Sequence, residues 1–298
     1  MIFRGAYDRA MSDRIARDRM ATDTLGNAGP VVAGRVMLKS AARCARSAVT
    51  HSHPALAFHV GGSARVEQDG DWKLAAGDVL LVPAGQAHRM LDVQSTEFWG
   101  LAFCAPCFAA TGDAALLEPF DRVRDGGAAV VHIPAARQSV MEALFRELEA
   151  AALRPQRSAA ALFAVQRSLL TLILHEVDSA TVALAPQTAK RTPHVVADCL
   201  RFIERNALRR LTLRDVAQAV GRSPAYVTSV LSKSTGRSAV EWIVCARMAE
   251  ARRLLLHSDE RVDEIAERVG YPDPTHFIRM FRRSHGVTPA AFRATRSC

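Results

Sequence analysis

VAQAVGRSPAYVTSVLSKSTG (residues 216–236) and IAERVGYPDPTHFIRMFRRSHG (residues 265–286) are two copies of one pattern. In each copy an apolar helical stretch runs into a glycine, at Gly221 and Gly270, and a second helical stretch follows. The matching positions are offset by 49 residues before the turn and by 50 after it, so the second turn carries one extra residue. The repeat predicts two helix–turn–helix units in the C-terminal third of the chain.

The start of the second helix is well marked in both units. Ser223 and Asp273 are good N-cap residues, and Pro224 and Pro274 stand at the first helical position, where proline is tolerated. In this arrangement the second helix enters the major groove of DNA. One such pattern is a weak signal, but two in tandem predict a DNA-binding domain.

Helical periodicity divides each second helix into two faces. The inner face of the first unit is assigned to the apolar residues Tyr226, Val227, Val230 and Leu231, and His276, Phe277, Met280 and Phe281 repeat that face in the second. The opposite faces supply the candidate DNA-contacting residues: Ala225, Thr228, Ser229, Ser232 and Lys233, then Thr275, Ile278, Arg279, Arg282 and Arg283.

A helix over residues 238–258 joins the two units and carries an apolar stripe that includes Ile243, Met248 and Leu255. At about 30 Å its length is close to one turn of B-DNA, about 34–36 Å. Both second helices can therefore lie on the same side of a duplex.

The excess positive charge lies in the same C-terminal region as the two predicted units. The net charge of +9 lies entirely in residues 190–298, with 20 Lys+Arg against 11 Asp+Glu, while residues 1–189 are balanced at 19 each. A basic domain joined to a neutral one is typical of proteins that bind a polyanion, although an arginine-rich solvated surface is the alternative.

The C-terminal region resembles the AraC/XylS family of bacterial transcriptional regulators. The matching residues of the linking helix are Arg247, Ala251, Leu254 and Leu255; those of the second unit and closing helix are Ile265, Ala266, Gly270, Tyr271, Phe277, Phe281, Gly286, Pro289 and Arg293. Leu231, in place of the usual aromatic residue, and Pro274 depart from the pattern. The resemblance implies promoter DNA, RNA polymerase and a small-molecule effector as partners.

The N-terminal part is predicted to be a β-barrel. Short apolar strands (VVAGRVML, LAFHV, SARVE, VLLVP, EFWGLAF) alternate with turns at GG 61–62, DGD 69–71 and AGD 76–78. Helices follow at about 135–153 and 157–177, and the stripe of Leu162, Val165, Leu169, Leu172 and Ile173 suits either a core or a dimer interface. We expect an extension over 1–30, an effector domain over 31–178, a linker over 179–193 and the DNA-binding domain over 194–298.

Gly77, Pro83, Gly85 and His88 resemble the second cupin motif, and His51 and His53 resemble the start of the first. We expect the three histidines to line an effector pocket, with His51 and His53 on alternate positions of a strand. They are also candidate ligands for Zn²⁺ or Fe²⁺. Ala57 stands where a metal-binding cupin has a carboxylate, so no cofactor is expected.

Several protein classes are disfavoured by the composition. No apolar run approaches the roughly 20 residues of a membrane-spanning helix, and the N-terminus does not look like a secretory signal. Six scattered cysteines indicate reduced thiols rather than a disulfide framework, and CAPC (104–107) lacks the second pair of a zinc site. A cytoplasmic protein, nucleoid-associated when bound to DNA, is expected.

The sequence thus predicts an α+β protein of two domains: a cupin-like barrel with helices, then an all-α tandem helix–turn–helix domain. The favoured function is that of a homodimeric, non-enzymatic, one-component transcription regulator that senses a small molecule. The alternatives are a cupin metalloprotein or metalloenzyme fused to a DNA-binding domain, and a ligand-independent regulator whose barrel only dimerises.

Overall fold

The computed structural model describes residues 31–38, 48–105, 114–154, 159–182 and 195–294. The predicted extension over 1–30 and most of the predicted linker lie outside the described residues. The strands are β1 (Val31–Leu38), β2 (Ala55–Glu67), β3 (Asp71–Leu74), β4 (Asp78–Val82), β5 (Arg89–Phe103) and β6 (Val130–His132). The helices are α1 (Glu118–Arg124), α2 (Ala135–Leu153), α3 (Ala159–Val182), α4 (Val195–Asn206), α5 (Leu213–Ala219), α6 (Pro224–Thr235), α7 (Ala239–His257), α8 (Val262–Arg268), α9 (Pro274–His285) and α10 (Pro289–Ala294).

The strands form one antiparallel sheet in the order β1-β5-β2-β4-β6, and β3 pairs with β2 beside this path. Within the described residues β1 and β6 do not pair with each other, so the sheet does not close. The mixed architecture, a sheet followed by helices, is confirmed, but the predicted closed cupin barrel is not. We call residues 31–182 the sheet domain and residues 195–294 the helical domain.

One predicted turn lies inside a strand. Gly61 and Gly62 were expected to separate two strands, but β2 runs unbroken from Ala55 to Glu67 with shifts in register around these glycines. Gly62 has φ of 69°, and a Cβ atom there would lie 2.2 Å from the carbonyl oxygen of Ser95. The glycine pair therefore makes a bulge in a continuous strand, a second role that glycine has in sheets.

Helices α2 and α3 cover one face of the sheet. The Phe145 ring of α2 stacks on Phe58 of β2 and Trp99 of β5, with ring centroids 6.1 and 5.9 Å apart. The predicted bounds of α2 are correct, but α3 extends through Val182, so residues 179–182 of the predicted linker are helical. Helix α1 and strands β3 and β6 were not predicted, because each is too short to show a clear period.

The helical domain contains two apolar clusters that share α7. The first contains buried residues of α4, α5, α6 and the start of α7, including Trp242 and Ile243. The second contains buried residues of α8, α9 and the end of α7, including Met248 and Ala251. Each helix–turn–helix unit therefore has its own core, and α7 passes from one to the other.

Candidate functional site

Helix α6 is the second helix of the first unit. Its N-cap is Ser223, whose side chain accepts a hydrogen bond from the backbone N–H of Tyr226, and it ends at Gly236 in the left-handed conformation. Val227 and Leu231 are fully buried and hold the helix against α4 and α7. This leaves the opposite face of α6 open to solvent.

Helix α9 occupies the equivalent place in the second unit. The Asp273 carboxylate accepts hydrogen bonds from the backbone N–H groups of Thr275 and His276, at 2.9 and 3.2 Å. The helix ends at Gly286, again left-handed. Phe277 and Phe281 are fully buried, in the same register as Val227 and Leu231. The sequence repeat is thus also a structural repeat.

Nearly all of the predicted DNA-contacting side chains lie on the exposed faces of these two helices. Thr228 is half-buried, and the remaining nine are exposed: Ala225, Ser229, Ser232, Lys233, Thr275, Ile278, Arg279, Arg282 and Arg283. None of the three arginines of α9 forms a salt bridge with a described residue. The α9 face is therefore the more basic of the two.

Two residues assigned to the inner faces lie outside. Tyr226 is 47% exposed, with the Arg222 guanidinium 6.0 Å from its ring centroid, and His276 is also exposed. They occupy equivalent positions in the repeat, one residue before the buried Val227 and Phe277. One helical position is a rotation of 100°, enough to turn a side chain from the core to the surface. The aromatic ring of Tyr226 suggested a core position, but the helical phase set by Val227 and Leu231 predicts that Tyr226 is exposed.

The three predicted pocket histidines come together at one end of the sheet. His51 and His53 precede β2 in an irregular segment that ends at Pro54, rather than lying on alternate strand positions. The His51 ring centroid is 5.4 Å from that of His53 and 4.9 Å from that of His88. Burial lowers the pKa of His88, which favours its neutral form.

This cluster is poorly arranged for a metal ion. The His51 and His53 rings are stacked at an interplanar angle of 22°, so their nitrogens lie in nearly parallel planes rather than converging on one point. Among the described residues, no group of three or more His, Cys, Asp or Glu side chains is placed to hold a metal. The residues present therefore do not fit the Zn²⁺ or Fe²⁺ site considered from the sequence.

The loop after β4, which carries the cupin-like motif, packs against the first helix–turn–helix unit. Ala84 is buried in the first apolar cluster of the helical domain. A Cβ atom on Gly85 would lie 2.6 Å from Leu200 of α4 and 3.3 Å from both Thr235 of α6 and Trp242 of α7. The backbone N–H of Gly85 donates to the carbonyl oxygen of His51, at 2.8 Å. The histidine end of the sheet is therefore in direct contact with the first helix–turn–helix unit.

Ion pairs hold the same interface together. The Arg124 guanidinium of α1 makes two hydrogen bonds to the Glu204 carboxylate of α4, at 2.7 and 2.6 Å. The Arg201 guanidinium of α4 forms ion pairs with the carboxylates of Asp121 and Asp125 in the sheet domain, at 3.0 and 2.7 Å. Burial alone would lower the pKa of Arg124, but Glu204 and Asp121 outweigh it and the pKa is raised. Both domains contribute both signs of charge to this contact.

A cleft lies between the two domains beside this contact. It is lined by His53 from the sheet domain, Leu200 and Ile203 from α4, and Trp242 and Met248 from α7. Sequence reasoning did not locate it, because its walls come from segments that are far apart in the chain and carry no shared motif.

The described cysteines differ in their surroundings. Cys199 is buried, which raises the pKa of its thiol to about 11, and the Cys245 sulfur accepts a hydrogen bond from the Arg237 guanidinium. No described helix has the length and apolar character needed to cross a bilayer.

Comparison with known proteins identifies the C-terminal part. A family model described as a helix-turn-helix domain matches residues 216–295. The regulatory protein PocR of Salmonella typhimurium is 36% identical over 104 residues, which cover 34% of this chain and 34% of that protein. The uncharacterized HTH-type transcriptional regulator YpdC of Escherichia coli K12 is 24% identical over 227 residues, or 74% of this chain and 75% of the relative.

Among solved structures, the C-terminal domain of AraT, a response regulator from Geobacillus stearothermophilus, is 32% identical and aligns with 36% of this chain and 89% of that one, at a TM-score of 0.34. Of the regulatory protein PocR, the chain matches only about a third of the length. The family model covers both units and the helix between them. Residues 216–295 therefore form a helix-turn-helix domain.

Proposed function

We propose that this chain is a transcription regulator that binds double-stranded promoter DNA in a sequence-specific manner through α6 and α9. One observation carries the proposal: two structurally equivalent capped helices bury the same positions and expose the opposite face. That face is basic on α9, in a region whose net charge is +9. Arginine and lysine at such a surface contribute phosphate contacts and affinity, while side chains that reach base edges provide specificity.

Within this surface the two helices have different roles. Helix α6 presents small or hydroxylated side chains, such as Ala225, Ser229 and Ser232, beside Tyr226 and Lys233. Helix α9 presents Arg279, the side chain best suited to a bidentate contact with guanine. We expect α9 to carry most of the base selection and α6 to fit the groove through close apolar and hydroxyl contacts.

We further propose that the sheet domain senses a small molecule near His51, His53 and His88. Two features support this: the histidines cluster at the end of the sheet that touches the first helix–turn–helix unit, and His53 also lines the cleft between the domains. A ligand there contacts both domains, so it favours one arrangement of them over another. The stacking of the His51 and His53 rings is unfavourable for metal ligation, which disfavours the metalloenzyme alternative.

Helix α3 is the proposed dimer interface. Leu162, Val165, Leu169 and Leu172 follow one another at spacings of three and four residues, as in a coiled-coil seam. Val165 and Leu172 are 44% and 49% exposed, whereas Ile173 is fully buried in the sheet domain. The predicted stripe is thus divided between core and surface. We expect Leu172→Glu to convert a dimer to a monomer in sedimentation, and an unchanged dimer would exclude this face.

Selection from random duplex DNA by the full-length protein tests the main proposal. We expect recurring sequence blocks and an affinity that falls steeply with salt, as for proteins that release counterions from several phosphates. RNA polymerase is the expected partner at the bound promoters. Recovery of no sequence preference, or binding insensitive to salt, would overturn the regulator function.

A further inference from the structure

The two helix–turn–helix units meet at a second place besides α7. The segment 207–209, which follows α4, belongs to both units: Ala207 is fully buried in the first apolar cluster, and Leu208 packs against the second. This segment lies next to the midpoint of α7 and to the turn of the second unit. It is therefore a junction between the two cores.

Arg247, the ninth of the 19 residues of α7, closes this junction. Its Nε donates to the carbonyl oxygen of Ala207 and its Nη2 to that of Arg209, both at 2.8 Å. Its guanidinium also lies 5.1 Å from the ring centroid of Tyr271, in the turn of the second unit. The side chain is buried, and a cation at carbonyls that follow the C-terminus of α4 is favoured by the helix dipole.

The turn of the second unit fits against the same group. Gly270 has φ of 84°, and a Cβ atom there would lie 2.9 Å from the carbonyl oxygen of Arg209 and 3.0 Å from the Cζ atom of Arg247. Three segments that are distant in sequence thus meet at one guanidinium: the end of α4, the middle of α7 and the turn between α8 and α9.

This position matters because α7 changes partners there. Ile243 packs in the first cluster and Met248 in the second, so a bend between them would swing one unit relative to the other. A helix of 19 residues is about 28 Å long, and its midpoint is about 14 Å from either end. A bend of roughly 14° would move an end by roughly 3.4 Å, one base-pair step.

We propose that Arg247 is a positioning residue that braces α7 at its midpoint and so fixes the separation between the two DNA segments that α6 and α9 accept. The inference rests on the proposed function, since it specifies the geometry of the DNA that is bound. Arg247 touches no DNA itself; it acts by preventing the second unit from rotating about the middle of α7.

The test is selection from random duplex DNA with full-length wild-type protein and with Arg247→Met, which keeps a long apolar stem without the donors. Wild type is expected to recover two recurring blocks at one spacing, and to lose affinity about tenfold or more when one base pair is inserted or removed. Arg247→Met is expected to recover the same blocks at adjacent spacings as well, with the one-base-pair penalty reduced severalfold. Arg268→Met, at an exposed arginine of α8, should keep the single spacing.

Arg247→Lys provides a second variant in case the methionine protein does not fold, because it retains the cation and the stem. It should show an intermediate tolerance of spacing. Equal weakening on all spacings, with the single preferred spacing retained in the folded variant, would reduce Arg247 to a stabilising residue and overturn the inference. If wild type itself selects no sequence, the proposed function fails, and the inference fails with it.

Discussion

Removal of the Glu204 carboxylate is expected to weaken the contact between the sheet domain and the first helix–turn–helix unit. Arg124 and Glu204 form a two-pronged pair across this contact, and their side chains are only 5% and 15% exposed. Glu204→Gln changes the shape very little but leaves the largely buried Arg124 cation without its principal counter-charge.

The expected size of the effect follows from the burial and from the remaining partners. Breaking a buried ion pair by removing one member usually costs about 3–5 kcal/mol. Here Asp121 Oδ1 and the carbonyl oxygen of Ala84 each lie 3.4 Å from an Arg124 nitrogen and retain part of the interaction. We therefore expect a loss of about 3 kcal/mol, the lower end of that range.

The assay is denaturant unfolding of the full-length protein, followed by tryptophan fluorescence, since Trp242 lies at the contact. The double variant Arg124→Met/Glu204→Leu should recover most of the loss, because neither charge is then left buried alone. Asp71→Asn, in the exposed pair with Arg65, is the control and should cost less than about 1 kcal/mol. A Glu204→Gln loss within about 0.5 kcal/mol of wild type, or a double variant that loses as much as the separate Arg124→Met and Glu204→Leu variants added together, would refute the reasoning.

Three further predictions concern DNA selection, pH and metal. Arg279→Ala should cost about 1–3 kcal/mol on a selected site and little on scrambled DNA; equal losses on both would indicate a phosphate contact. Burial lowers the pKa of His59 to about 4, below its value in the unfolded chain, so the unfolded state binds the proton more tightly. The contribution of neutral His59 to the free energy of unfolding is therefore fully present above about pH 6.5 and should fall by about 3 kcal/mol as the pH drops towards 4. His59→Gln should flatten that pH dependence in unfolding titrations, leaving a residual slope in the same direction from His88; an unchanged slope would exclude His59 as its source. Elemental analysis of protein purified without chelator should find well under one equivalent of transition metal, and a stoichiometric metal lost in His53→Ala would contradict the stacked arrangement.

Gly61, Gly62 and Tyr226 take roles in the fold that differ from those their residue types predict, and for a related physical reason. Gly61 and Gly62 have the composition of a turn, but the same conformational freedom serves a bulge when a partner strand continues past them, as β5 does. Tyr226 looks like a core residue by type, yet its helical phase places it outside. In both cases the residue type alone does not determine the position of the residue; the partner strand β5 and the phase of helix α6 determine it.

What the sequence by itself determined is what neighbouring residues encode: the repeat, the N-caps at Ser223 and Asp273, the glycine turns and the concentration of positive charge. These signals act within a few residues, so they survive without knowledge of the fold. Only the tertiary structure decided how the domains meet. Arg124 and Glu204 are 80 residues apart, and the loop at Ala84 enters the core of a unit that begins more than a hundred residues later. Such contacts depend on the shape and charge of two whole surfaces, and no local pattern in either segment specifies the other.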